Sequence, residues 1–125
     1  NTGVPHAVIQ VSSVDDVKVA AIGSAIRYDE RFATSGTNVC FFEVVDAENQ
    51  VIKLRVYERG VEDETLCCGT GIMATAVSSA KFFGWSGEIK VHVKGGLLKA
   101  IVDKEFENLY FQGNVNLMYS GELSE

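Results

Sequence analysis

The strongest constraint on how this chain can fold is Cys68-Gly69-Thr70-Gly71, which runs into Ile72-Met73-Ala74-Thr75-Ala76-Val77-Ser78-Ser79-Ala80-Lys81-Phe82-Phe83-Gly84. After Gly71 the residues are small or apolar on every side, so the segment predicts a central core helix buried nearly all round. The glycines at its start let the backbone turn tightly and leave first-turn N–H groups without helical partners. Such an end is an anion site. A cysteine there feels the positive end of the helix dipole, which favours thiolate over thiol and makes Cys68 the candidate for chemistry.

The rest of the chain supplies strands and one more helix. Ala7–Val11 reads as a strand, with Pro5 holding Val4 extended and His6 at the strand entrance. Residues Thr37–Val45 and Val51–Tyr57 predict a hairpin around the turn at 46–50. A second hairpin is expected from Glu88–Lys94 and Leu97–Val102, turned at Gly95-Gly96, with His92 simply exposed. Leu109–Phe111 and Val115–Tyr119 suggest a further strand pair. Ser13 and Asp16 come close to a capping box for a helix from Val14 to Ile26, which places Val19, Ile22 and Ile26 on one face and has Gly23 as a mild weak point. These elements predict an α+β fold, a mostly antiparallel sheet curled like a barrel around the helix that starts near Cys68, with the other helix outside. At 125 residues and 46% apolar composition, one domain spanning 1–125 can bury a core without staples.

Several function classes are disfavoured. A net charge of −6 without a Lys/Arg cluster argues against nucleic acid or an anionic membrane as partner. No apolar run approaches the roughly 20 residues needed to span a bilayer. Three cysteines, two of them adjacent, make no disulfide framework and suit a reducing cytoplasm. The start at Asn1 reads as a piece of a longer protein.

The run Glu58-Arg59-Gly60, then Glu64-Thr65-Leu66, then Cys68-Gly69-Thr70-Gly71 resembles the second active-site motif of the diaminopimelate epimerase family. The resemblance covers essentially the whole chain, as a C-terminal lobe, the N-terminal lobe being absent. It implies a cofactor-independent isomerase that converts LL-diaminopimelate to the meso form for lysine synthesis, with no metal. Inversion at a carbon needs a base on one face and an acid on the other, and two positioned thiols can serve. Cys68 would be one. The second would come from the N-terminal lobe, so this chain alone should not turn over; a homodimer is a further possible partnership.

By the same resemblance the Gly69 and Thr70 N–H groups hold the substrate carboxylate, while Asn38, Glu58 and Arg59 fix the rest of the substrate. His6 and Glu58 tune the thiol. Val4 stands where the family has an asparagine that touches substrate. From the residues alone, His6 reads as a structural strand-start histidine, Asn38 as a turn-flanking residue, and Glu58-Arg59 as a surface ion pair. Cys40 reads as a small buried apolar residue, and Trp85 as rim packing. Glu62, Asp63 and Glu64 read as a solvated acidic loop.

Three other readings compete. Gly69-Thr70-Gly71-Ile72-Met73-Ala74 loosely fits a dinucleotide fingerprint, but the preceding loop is long and acidic and no βαβ order follows. A non-catalytic lobe, or a related racemase or isomerase of the same superfamily, also fits. Separately, Glu107-Asn108-Leu109-Tyr110-Phe111-Gln112-Gly113 matches the recognition sequence of a plant-virus processing protease, while the residues on both sides continue the strand pattern.

Overall fold

The computed structural model describes residues 2–32 and 34–124. Seven strands form one mixed sheet: β1 (His6–Gln10), β2 (Asn38–Asp46), β3 (Val51–Glu58), β4 (Asp63–Thr65), β5 (Gly87–Val93), β6 (Gly96–Val102) and β7 (Leu109–Gln112). Their order is β1-β2-β3-β5-β6-β7, with β4 added to β3. Both expected hairpins form, β2 against β3 and β5 against β6. Two pairings are parallel, β1 with β2 and β3 with β5. Parallel neighbours need a crossover, and the two helices, α1 (Val19–Arg27) and α2 (Gly69–Phe83), lie in those crossovers.

The helices cover opposite faces, which explains why β2 is buried from Asn38 to Phe42 without alternation. Cys40 and Phe42 join Ile52, Leu54 and Val56 under α2. Val39, Phe41 and Tyr57 face the other way, toward Val14 and Val19. The α2 helix touches β1 and β2 on one side and β6 and β7 on the other, so the sheet curls about it without closing. A stripe of mostly small residues, Gly71, Ile72, Thr75, Ala76, Ser79 and Ala80, makes that fit. The helix is not buried all round, as its sequence suggests: Ala74 and Val77 are half-buried, while Ser78, Lys81 and Phe82 are exposed. Gly84 ends it at φ 71°, the left-handed geometry that favours glycine after a helix. Trp85 packs on Phe83 with ring centroids 4.9 Å apart, and His92 is exposed.

The outer helix starts at Val19, later than its apolar spacing predicts, and Ser13 does not cap it. The backbone groups a longer helix would use are taken elsewhere. Val14 N–H donates to Glu43 Oε2 at 2.6 Å, and the carbonyls of Val14 and Val17 accept from Arg55 Nη1 at 2.7 and 3.1 Å. Gly23 is no weak point but a requirement of packing. A Cβ there would lie 2.5 Å from Tyr57 Cβ, an atom that cannot swing aside. Gly23→Ala is therefore expected to destabilise by about 1–3 kcal/mol through overpacking, even though alanine gains about 1 kcal/mol of helix propensity; a urea melt reads the sign.

Leu109–Gln112 is an integral strand paired with β6, from Val102↔Leu109 to Lys99↔Gln112. The strand expected at Val115–Tyr119 does not form. Val115, Leu117, Met118 and Tyr119 are exposed, because strand-forming residues need a neighbouring edge and none of the described strands reaches them. No helix among the described residues is long and apolar enough to cross a membrane.

Candidate active site

The start of α2 assembles much of the chemistry. Cys68 is the helix N-cap, extended at φ −136° and ψ 107°, and its carbonyl accepts the Ile72 N–H at 2.9 Å. No acidic side chain lies in the first turn and no side chain caps it, so the Gly69 and Thr70 N–H groups keep their donor capacity. Cys68 is 8% exposed, at the edge of the core, whereas Cys67 projects outward. Adjacent residues approaching a helix in extended geometry point apart, which separates these two thiols. Burial raises the Cys67 thiol above its ordinary range, with Cys68 and Glu58 adding to the effect.

Gly71 leaves room for two sulfurs, since a Cβ there would lie 3.2 Å from Cys40 Sγ and 3.3 Å from Cys68 Sγ. Both sulfurs thus flank one point of the helix, although Cys40 lies on β2. Cys40 is fully buried, and burial pushes its thiol up to about 12, so it is a protonated group sealed from any substrate. Nor is it a purely apolar filler, as its sequence context suggests. Its Sγ lies 3.5 Å from His6 Nδ1.

His6 begins β1, paired in register with Asn38 of β2. Its Nε2 lies 3.0 Å from Thr70 Oγ1, and that hydroxyl lies 3.6 Å from Cys68 Sγ. The histidine anticipated as a thiol tuner is thereby connected to Cys68 through the Thr70 side chain. Desolvation by burial holds His6 below its ordinary 6.5, with Glu58 opposing and Arg59 reinforcing the shift. The ring is neutral at neutral pH.

Asn38 is 3% exposed, and much of its amide is committed to backbone. Its Nδ2 donates to the Pro5 carbonyl at 3.2 Å, and its Oδ1 accepts the Arg59 N–H at 2.7 Å. One N–H and one lone pair remain for a ligand. Asn38 thus ties the strand entrance before His6 to the turn that carries Arg59. Arg59 sits just beyond β3, its Nη1 donating to the Ser35 carbonyl at 2.7 Å. Glu58, the last residue of β3, accepts the Glu62 N–H on its carbonyl, which closes the turn.

The acidic run is structural rather than merely solvated. Glu62 accepts from Arg27 Nε at 3.1 Å, from Gly60 N–H at 2.8 Å and from the Tyr28 hydroxyl. Glu64 receives a two-pronged contact from Arg55, at 2.6 and 2.7 Å. These contacts fix the middle of the segment from Glu58 to Cys68. A surface cleft of about 500 Å³ adjoins the site, with Gly3, Val4, Pro5 and His6 on one wall and Ala74, Val77 and Ser78 of α2 on the other. Among the described residues, no cluster of three or more His, Cys, Asp or Glu could hold a metal ion.

Two features of this site were not read from the sequence. The Thr70 hydroxyl bridges His6 and Cys68, where only its N–H was anticipated. Cys40 meets His6 because β1 and β2 run parallel, a pairing that strand periodicity does not signal.

The fold is shared with solved structures. A predicted epimerase of Pseudomonas aeruginosa superposes with a TM-score of 0.55 at 17% identity, over 77% of this chain and 32% of its own. A phenazine biosynthesis protein of the PhzF family from Bacillus anthracis gives 0.56 at 18% identity, over 89% and 34%. The architecture is therefore the α+β fold of these proteins, and in this chain a cysteine stands at the head of the central helix. Residues 1–118 match the profile of the diaminopimelate epimerase family, and the chain belongs to that family. It is 42% identical to the diaminopimelate epimerase of Aquifex aeolicus, over all of this chain but 45% of that protein. It is 40% identical to that of Methanocella arvoryzae, over 98% and 42%. The chain spans slightly under half the length of these relatives.

Proposed function

We propose that this chain is the C-terminal lobe of a diaminopimelate epimerase and supplies one of the two half-sites that invert the α-carbon of LL-diaminopimelate to the meso form, in cytoplasmic lysine synthesis. The observation that carries the reading is the Cys68 thiol at the N-terminus of α2, joined to His6 through Thr70 and followed by amides with donor capacity to spare. Cys68 moves the α-proton on one face of the carbon. The Gly69 and Thr70 N–H groups receive the α-carboxylate and stabilise the charge that develops when the proton leaves. The planar fork of Arg59 suits a carboxylate, and Glu58 and the remaining capacity of Asn38 suit an ammonium.

Within this chain no second thiol reaches the opposite face. Cys40 is sealed in the core and Cys67 points away from Cys68. The second thiol therefore belongs to an N-terminal lobe, which supplies the remaining length of the family's proteins. The chemistry assigned here needs no cofactor.

Exchange of the substrate α-hydrogen in heavy water tests this reading. Diaminopimelate is expected to take up deuterium when this chain is mixed with the N-terminal lobe of a relative, and not with this chain alone. No uptake in the mixture, with both lobes folded and associated, would leave a member of the fold without the activity. Uptake by the chain alone would sink the half-site assignment.

A further inference from the structure

We propose that Cys40 is a positioning residue, whose S–H holds the His6 ring with its proton on Nε2 and so turns the Thr70 hydroxyl toward Cys68. The proposal rests on the reading of Cys68 as the reacting thiol, and it gives a role to a buried sulfur that the inversion itself does not use.

Four groups from three elements stand in a row. Cys40 Sγ of β2 lies 3.5 Å from His6 Nδ1 of β1, His6 Nε2 lies 3.0 Å from Thr70 Oγ1 of α2, and that oxygen lies 3.6 Å from Cys68 Sγ. The direction of each proton follows from what each group can do. A thiol raised by burial to about 12 keeps its proton at neutral pH and offers it to an acceptor, the sulfur itself accepting only weakly. Three partners surround it, His6 Nδ1, the Gly71 carbonyl at 3.9 Å and the Thr75 hydroxyl. That carbonyl already accepts the Thr75 hydroxyl at 2.8 Å and lies in the helical ladder of α2. The imidazole nitrogen is nearer than that carbonyl and a stronger acceptor than the Thr75 hydroxyl oxygen, so the S–H goes there.

A neutral ring that accepts on Nδ1 must carry its proton on Nε2. Nε2–H then donates to Thr70 Oγ1. The hydroxyl, occupied as an acceptor, has its own proton left for Cys68 Sγ, where it stabilises the sulfur as charge accumulates. The charged groups acting on the ring are Glu58 and Arg59 at the end of β3, and they oppose one another. Without the Cys40 S–H, the proton can sit on Nδ1 instead. Nε2 would then accept from Thr70, and the hydroxyl would turn its proton away from Cys68.

The test needs no turnover, so it separates this proposal from the epimerase reading. Nitrogen-15 spectra of the His6 imidazole are recorded for the native chain, Cys40→Ala and Cys40→Ser, together with Cys68 alkylation by iodoacetamide at pH 7 in a Cys67→Ser background. In the native chain and Cys40→Ser, where a donor of similar size remains, Nε2 is expected to carry the proton and Nδ1 to show a hydrogen-bonded shift. In Cys40→Ala the Nδ1 signal is expected to move toward that of an unbonded nitrogen, with some Nδ1–H form appearing. Alkylation of Cys68 should slow by about tenfold in Cys40→Ala, the worth of one hydrogen bond to a charged group, and recover in Cys40→Ser. Indistinguishable His6 spectra in the native chain and Cys40→Ala, or equal slowing by Ala and Ser, would overturn the proposal and leave Cys40 as packing. Absence of α-hydrogen exchange alongside the expected spectra would instead count only against the epimerase reading.

Discussion

Replacing Cys68 by alanine is expected to lower α-hydrogen exchange in the two-lobe mixture by about a thousandfold, the usual scale for losing a positioned acid or base. Only the proton-transfer group is removed. The carbonyl of residue 68 still accepts the Ile72 N–H, and the amides of Gly69 and Thr70, to which the proposed function assigns the carboxylate, stay in place. Substrate affinity should therefore fall much less than the rate, which the separate measurement of kcat and KM reads directly. Cys68→Ser is expected to lose nearly as much, because a serine hydroxyl does not ionise near neutral pH and so cannot supply the base that a thiolate supplies, although it can keep the bond to Thr70. The chain should fold as before. Cys68 lies at the core edge and its side chain bonds only Thr70, so a large fall in melting temperature would indicate damage to the first turn of α2 rather than loss of a proton carrier. Exchange at an undiminished rate in Cys68→Ala, with the fold intact, would rule the thiol out.

The largest effect on stability is expected at Arg55. Its guanidinium grips both oxygens of Glu64 and also caps the carbonyls of Val14 and Val17. The side chains of Arg55 and Glu64 are 18% and 11% exposed, so their separation leaves a carboxylate largely out of water. Arg55→Leu is expected to cost about 3 kcal/mol, the lower end for breaking a buried pair, since Lys94 at 2.9 Å still neutralises Glu64 in part.

The loss should depend on pH with a definite sign. Arg55 first, with help from Lys94 and against burial, holds Glu64 below its ordinary 4.5. A carboxylate whose folded value is depressed contributes stability that is fully present above the unfolded value, and that stability is lost as pH falls through the folded value. The gap in denaturant midpoint between native and Arg55→Leu should thus be widest at neutral pH and narrow below 4.5. What remains is the share due to the two capped carbonyls. A gap that stays constant down to strongly acid pH would show that Glu64 is not the partner that matters.

Much of this arrangement can be read from residue order. Alternation in Val51–Tyr57 and the glycines at 95 and 96 fix two hairpins, and the glycine-flanked small-residue run fixes α2 with Cys68 at its head. Local pattern is informative there because each element is decided by its own neighbours. It fails where distant groups intervene. Val14 to Val17 has helical spacing, but Arg55 and Glu43 claim its backbone groups from other strands. Gly23 is weak by propensity and indispensable beside Tyr57. The apolar residues of Val115–Tyr119 favour a strand that, among the described residues, has no partner to pair with. The candidate site shows the same division. Cys68, Gly69 and Thr70 share one stretch and were legible as a unit, whereas the contact between Cys40 and His6 depends on a parallel register that short-range pattern does not encode.

The parallel pairing of β3 with β5 bears on how the chain assembles. Every residue from Arg59 to Ser86 lies in the crossover between those strands, so Cys68, its amide cradle and the whole of α2 are enclosed by one long-range contact. Closing that loop costs chain entropy, which puts the β3–β5 pairing late in the order of folding events. A nascent chain therefore carries Cys68 in unfinished structure until β5 has been synthesised and docked. Quality control acting on slow folders would meet the chain while this cysteine is still unprotected.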